Sequence, residues 1–142
     1  MTSGGQHTVT YMEDDSLESG QYYLYMFNNN FGYSKTRKDY DWTVNEGIQT
    51  SITEGTTSYY YQYLVDENEG TYTLVNSFEV PFSAYVSSAQ NLGNHIVIDS
   101  GIAGLLSIYD TDGNLEQQLS IKKNDRFIYR IYYYDYKGYY FS

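Results

Sequence analysis

Cysteine is absent from this chain of 142 residues, proline occurs once, and lysine plus arginine number 8 against 18 acidic residues. The absence of cysteine excludes disulfides, thiolate metal sites and cysteine nucleophiles. The net charge of −10 argues against nucleic acid and anionic membrane as partners, because both require a basic face. No apolar run approaches the roughly 20 residues of a membrane helix. Residues 1–6 lack the apolar stretch of a signal peptide, so we expect an export signal either to lie outside this chain or not to exist.

Tyrosine, by contrast, is abundant, with 20 residues, and aromatic side chains make up 19% of the chain. Aromatic enrichment is typical of strands and argues against disorder. No segment shows a helical period over three turns, so the sequence predicts an all-β fold.

The first half of the chain predicts four strands. His7–Met12 alternates, and residues 20–30 form an apolar run between turn residues. Residues 31–55 are polar and predict a loop insertion. Ser58–Asp66 and Thr71–Val80 then predict a hairpin closed by an acidic turn that contains glycine.

The second half repeats this plan in shorter form. Strands are predicted at residues 85–91, 95–99, 105–109 and 115–121, and the pair Asp112-Gly113 is a strong hairpin signal. Two more short aromatic strands are predicted in residues 126–141, around Lys137-Gly138.

The two halves predict two blades of a β-propeller. We assign one four-stranded unit to residues 6–80, a second to residues 84–122, and C-terminal aromatic strands to residues 123–142 of a single partial domain. A four-stranded unit of about 40–45 residues has the length of a blade, whereas a closed propeller needs about 4–8 blades. The chain is therefore expected to be an incomplete propeller.

Two segments carry a resemblance to a known family. Gly5-Gln6-His7-Thr8, followed by a strand that ends Phe27-Asn28-Asn29-Asn30, resembles the Q-H-T…F-D-N-G pattern of bacterial aryl-sulfate sulfotransferases. Residues 85–97 and 126–132 are similar to the final part of that family's propeller. The resemblance covers nearly the whole chain and corresponds to about the C-terminal quarter of a family member.

The resemblance implies a six-bladed propeller that moves a sulfuryl group from a phenyl sulfate to another phenol through a transiently sulfated histidine. It places His7 at the nucleophile and Asn28, where the family favours aspartate, among the residues predicted to bind substrate. It also implies phenolic sulfate esters and phenols as substrates, and a bacterial envelope or extracellular location. The family's supporting histidines and arginine lie earlier in the full protein, and nothing in this chain matches them.

The residues themselves fit this chemistry in part. A neutral imidazole is a competent nucleophile near pH 7, and the charged sulfuryl oxygens need preorganised cationic donors. Lys35, Arg37 and Lys38 cluster in the first loop, where a solvated role is the simpler interpretation. Ser87 and Ser88 fall where His7 lies in the first unit, so we predict that they bind substrate, although ordinary strand serines explain them too.

Other patterns indicate no further chemistry. His95 opens an apolar strand and is interpreted as a satisfied structural histidine. Asp110, Asp112 and Asn114 resemble the start of a calcium loop, but the glycine is misplaced and the distal glutamate is absent. We therefore expect neither a metal nor another cofactor.

Two other functions remain open. Exposed tyrosines and Trp42 could stack on carbohydrate in a binding module. Alternatively, the chain is a propeller remnant whose open sheet edges pair with copies of itself, for example as a trimer that completes six blades.

Overall fold

The structure is a computed structural model that describes residues 4–51, 57–122 and 124–134. It confirms the predicted all-β fold. The described residues form eight strands in two four-stranded antiparallel sheets, and their helical structure is one short 3-10 turn, Trp42–Val44. In both sheets the order of the strands follows the sequence. Open sheets of this kind are compatible with propeller blades.

The first sheet contains strands β1 (Gln6–Met12), β2 (Gln21–Asn28), β3 (Ser58–Asp66) and β4 (Thr71–Val80). The predicted hairpin is confirmed, and both of its strands begin and end at the predicted residues. The acidic turn lies between two runs of strongly β-forming residues, so the ends of both strands are well defined. The pairing of β1 with β2 shifts register between His7 and Thr10, where Thr8 has a φ of 52°. This irregularity lies beside the candidate nucleophile.

The second sheet contains β5 (Ser88–Asn91), β6 (His95–Ser100), β7 (Leu105–Asp110) and β8 (Leu115–Ser120). The strand expected at residues 85–91 begins three residues later. Val86 and Ser87 have φ values of 58° and 87°, and such a conformation cannot continue a strand.

The hydrophobic core lies between the two sheets. Phe78 on β4 connects them, with ring centroids 5.0 Å from Tyr60 and 4.9 Å from Tyr109. The amide nitrogen of Asn91 donates to the hydroxyl of Tyr60 at 3.2 Å, and burial raises the pKa of Tyr60 to about 12. The buried side chains of the cluster are Tyr25, Phe27, Tyr60, Val80, Ala89, Ile96, Ile98 and Tyr109.

The turn between β7 and β8 also joins the sheets. Gly113 has a φ of +83°, and a Cβ placed there would lie 2.6 Å from the Cβ of Phe78. Beside it, the side-chain amide of Asn76 donates to the carbonyl of Thr111 at 2.9 Å. The Asp112-Gly113 pair therefore closes a hairpin, as predicted, and also packs against the first sheet.

The C-terminal prediction needs a correction. Residues 124–134 form no strand, although the sequence predicts aromatic strands in this region. The backbone groups of Ile131 and Tyr133 bond to the side chains of Ser88 and Gln90 instead of to a neighbouring ladder. The remaining part of the prediction, including Lys137-Gly138, lies outside the described residues.

Candidate active site

His7 lies at the start of β1, opposite Phe27 on β2, and its side chain is half-buried. Burial lowers the pKa of its imidazole below the ordinary value, and the positive charge of Arg130 lowers this pKa further. Both effects disfavour the imidazolium ion. The imidazole is therefore neutral near pH 7, the state in which a histidine can act as a nucleophile.

A cavity of about 410 Å³ opens beside His7. Three of its walls are aromatic, namely Phe31, Tyr33 and Tyr85, and the rings of Phe31 and Tyr33 stack with centroids 6.4 Å apart. Gly5 and Ala84 complete the lining. Small-molecule sites have volumes of roughly 300–1,000 Å³ and combine apolar walls with a few polar groups, as this cavity does.

Two of these aromatic side chains, Phe31 and Tyr33, belong to the loop insertion and line the cavity together with His7. The amide of Phe31 donates to the carbonyl of Gly4 at 3.2 Å, and the amide of Gly32 donates to the carbonyl of Gln49 at 2.7 Å. Gly32 also packs tightly on Trp42, because a Cβ at this position would lie 2.6 Å from the Cβ of Trp42. The insertion is thus folded back onto the start of β1.

Asn28, the last residue of β2, is fully buried. Its Oδ1 atom accepts from the amide of Gly4 at 3.0 Å and from the amide of Asn30 at 3.3 Å. The side chain therefore holds together the segments that precede β1 and follow β2. The structure gives Asn28 a scaffolding role, and its contact with substrate stays a prediction.

Ser87 and Ser88 are also fully buried. The Oγ of Ser87 donates to the Oγ of Ser83 at 2.8 Å and accepts from the amide of Gly101 at 3.0 Å. The Oγ of Ser88 bonds to both backbone groups of Ile131. These hydroxyls organise the protein interior, and the prediction that they bind substrate stays a prediction.

Comparison with known proteins places the chain in a family. The model of the arylsulfotransferase (ASST) family matches residues 1–137. The chain belongs to the arylsulfotransferase family. No curated protein and no solved structure matches it. Family membership supports a sulfotransferase-like function in general.

Sequence reasoning did not single out Arg130, the residue whose positive charge lowers the pKa of His7. The basic residues that the sequence suggested near His7 were those of the first loop, whereas the charge that acts on the imidazole is that of Arg130. The guanidinium lies 5.0 Å from the ring centroid of Tyr129. The three basic residues singled out in the insertion, Lys35, Arg37 and Lys38, are exposed. Sequence spacing gave no signal for Arg130, because 123 positions separate it from His7.

The other histidine has a different environment. His95 is exposed at the start of β6, and its Nδ1 atom lies 2.7 Å from Oε2 of Glu116. It therefore pairs with a carboxylate on the surface of the second sheet. This difference makes His95 a suitable control for experiments on His7.

The described ranges contain no group of three or more histidine, aspartate or glutamate side chains that could hold a metal ion. The carboxylate of Asp110 instead accepts from the amides of Asp112 and Asn114 at 2.9 and 2.8 Å, as expected for a turn. No helix within these ranges is both long enough and apolar enough to cross a bilayer.

Proposed function

We propose that this chain carries the sulfur-accepting residue, His7, of an enzyme that transfers a sulfuryl group from a phenolic sulfate ester to a phenol. The observation that carries the proposal is the cavity in which a half-buried imidazole of lowered pKa lies among Phe31, Tyr33 and Tyr85. The family match supports the type of reaction.

The aromatic walls suit the substrates. A phenyl ring that enters the cavity can stack against Phe31 and Tyr33, whose rings are already nearly parallel, with an angle of 19° between their planes. Such ring contacts contribute about 0.5–1.5 kcal/mol each beyond simple burial. Donor and acceptor are both phenols or their esters, so one aromatic site serves both halves of the reaction.

The reaction proceeds in two displacements. A ring nitrogen of His7 forms a bond to the sulfur of the aryl sulfate, the sulfur–oxygen bond to the aryl group breaks, and a phenolate leaves. The oxygen of a second phenol then bonds to the same sulfur, and the nitrogen–sulfur bond to His7 breaks. In sum, one sulfuryl group and one proton change places between two phenols, and His7 is regenerated.

The test uses the full chain with 4-nitrophenyl sulfate, in the presence and absence of phenol. We expect nitrophenol release that phenol stimulates, and a sulfuryl adduct on the peptide that contains His7. The variant His7→Ala should lose both, whereas His95→Ala should keep both. Equal adduct formation in His7→Ala, or no adduct in the unmodified chain, would contradict the assignment.

A second candidate function concerns the outer face of the first sheet. An open groove of about 720 Å³ is lined by Tyr22, Tyr63 and Tyr72, and by the apolar side chains of Leu24 and Met26. The rings of Tyr63 and Tyr72 meet edge to face, with centroids 6.0 Å apart. Tyr72 is exposed and Tyr22 and Tyr63 are partly buried, and accessible aromatic rings of this kind can stack on sugar rings. Quenching or enhancement of tyrosine fluorescence by oligosaccharides, lost in Tyr72→Ala, would support a carbohydrate-binding role.

A further inference from the structure

The cavity beside the candidate nucleophile is lined by three separate segments of the chain. These are the start of β1, the loop insertion and the connection between the two sheets. Their lining residues are Gly5, His7, Phe31, Tyr33, Ala84 and Tyr85. A planar ring can bind tightly between these segments only if they keep fixed positions relative to one another.

Asn29, which directly follows β2, is fully buried and bonds to two of these segments. Its backbone amide donates to the carbonyl of Gly5 at 3.2 Å. Its side-chain amide nitrogen donates to the carbonyl of Ser83 at 2.6 Å and to the carbonyl of Val86 at 3.0 Å. These two carbonyls lie on either side of the cavity residues of the connection. The third segment, the insertion, begins two positions after Asn29, so this residue adjoins all three.

Two serines hold Asn29 and the connection together. The Oγ of Ser58 donates to the carbonyl of Asn29 at 3.0 Å and accepts from the amide of Ser83 at 3.0 Å. The Oγ of Ser83 donates to the carbonyl of Tyr85 at 2.9 Å. Asn29 is therefore fixed by its neighbours while its side chain fixes the connection.

The backbone of the connection is strained and needs this support. Val86 has a φ of 58°, and such a value is rare for a β-branched residue. Strained conformations persist only where the surrounding structure determines them, and the bond from Asn29 to the carbonyl of Val86 is one such constraint. Without this bond, we expect Val86 to relax and to displace its neighbour Tyr85.

We propose that Asn29 is a positioning residue, whose side-chain amide holds Ala84 and Tyr85 in place as the wall of the cavity that meets the phenyl ring of the substrate. For its catalytic meaning this inference rests on the proposed function of His7. The bond from the backbone amide of Asn29 to Gly5 does not depend on the side chain. Loss of the side chain should therefore weaken the binding of the ring more than it disturbs the start of β1.

The experiment measures the affinity of the full chain for phenol by NMR, from the shifts that the bound ring causes in the imidazole resonances of His7. We expect Asn29→Ala to weaken phenol binding about fivefold, the loss that corresponds to one ring contact. KM for 4-nitrophenyl sulfate should rise by a similar factor, whereas kcat should change less than KM. Asn29→Ser should give an intermediate loss, because one hydroxyl can donate to only one of the two carbonyls.

Asn91→Ala is the matched control, because the side-chain amide of Asn91 also donates to a distant residue, the hydroxyl of Tyr60. It should lower the free energy of unfolding, measured by urea denaturation, and leave phenol affinity and KM unchanged. If Asn29→Ala does not fold, Asn29→Ser provides the comparison. A loss of stability without a loss of phenol affinity in the Asn29 variants would overturn the proposal. Absence of any effect of phenol on His7 in the unmodified chain would overturn it as well.

A double variant tests whether Asn29 acts through Tyr85. Tyr85→Ala removes the ring that Asn29 is proposed to position. In that background Asn29→Ala should cause little further loss of phenol affinity, because the two residues act as one unit. Additive losses would refute a role that acts through Tyr85.

The same variants separate the two proposals from each other. Phenol binding that depends on Asn29, without a sulfuryl adduct on His7, would sustain the positioning role in the cavity and refute the transfer function. Adduct formation together with unchanged phenol affinity in Asn29→Ala would sustain the transfer function and refute the role of Asn29.

Discussion

The Oγ of Ser88 donates to the carbonyl of Ile131 at 3.0 Å and accepts from the amide of the same residue at 3.1 Å. One buried hydroxyl on β5 thus satisfies both backbone groups of a residue 43 positions later in the chain. The contact replaces the pair of bonds that a neighbouring strand would otherwise provide. It also determines where the residues around Arg130 lie.

Replacement of Ser88 by alanine should release the C-terminal segment from the second sheet. The change leaves two part-buried backbone groups of Ile131 without their partner, and the cost stays below the roughly 1–3 kcal/mol of a fully buried unsatisfied group. We expect faster hydrogen exchange at the amide of Ile131 and a rise in the pKa of His7. Ser120→Ala, at an exposed position of β8, should change neither. Slow exchange at Ile131 in Ser88→Ala would show that other contacts hold the segment.

Gly113→Ala should destabilise the fold more than Gly93→Ala. Both glycines have positive φ, 83° and 86°, so alanine is strained at either position. The methyl group at position 113 would collide with Phe78, whereas nothing lies within 4 Å of a Cβ at position 93. The difference in unfolding free energy, measured by urea denaturation, is expected to be about 1–3 kcal/mol. Equal losses would show that the turn moves away from Phe78 at no cost.

Asp99 should make the stability depend on pH. Its side chain is fully buried on β6, and neither carboxyl oxygen has a hydrogen-bond partner among the described residues. Burial raises the pKa of Asp99 from 3.8 to about 7. Between these values the folded protein holds a proton that the unfolded chain releases, so the free energy of unfolding falls as the pH rises through this window.

The measurement is urea denaturation at several pH values between 4 and 8, for the unmodified chain and for Asp99→Asn. The free energy of unfolding of the unmodified chain should fall by up to about 1.4 kcal/mol per pH unit because of Asp99. This contribution to the pH dependence should be absent in Asp99→Asn. The asparagine side chain has nearly the same shape and cannot ionise. Parallel stability profiles for the two proteins would refute the raised pKa.

Removal of a ring from the aromatic cavity should weaken substrate binding. Tyr85→Ala deletes one wall beside His7 and also the edge-to-face contact with Phe127. A ring contact of about 1 kcal/mol corresponds to roughly a fivefold rise in KM for 4-nitrophenyl sulfate. Tyr72→Ala, on the outer face of the first sheet, should leave KM unchanged. A similar KM in both variants would place the phenyl group elsewhere.

Local patterns predicted most of the fold. The hairpin of β3 and β4 could be located to the residue, because strand propensity and turn chemistry agree along residues 58–80. The start of β5 could not be predicted, because the residue types do not indicate that Val86 and Ser87 adopt positive φ. That conformation arises where the amide of Ser87 turns toward Tyr129, a contact between distant parts of the chain.

The candidate site was predictable only in part for the same reason. His7 could be singled out by its resemblance to a family motif. The positions of the aromatic side chains that line the cavity depend on how the insertion folds back onto Gly4. The position of the chain around Arg130 depends on hydrogen bonds from the side chain of Ser88 to a segment without regular structure. Neither the folding back of the insertion nor the docking of the C-terminal segment can be recognised from the periodicity or composition of the sequence.

Because Trp42 packs against Gly32, its indole is an intrinsic fluorescence probe of the insertion. Trp42 is the sole tryptophan of the chain, and it lies in the insertion, where its ring also meets Tyr40 edge to face at 4.9 Å. Its emission therefore reports the folding of the segment that carries Phe31 and Tyr33, separately from that of the tyrosine-rich sheets. Selective excitation of this indole would follow the assembly of the aromatic cavity in real time while the β-strands are monitored by circular dichroism.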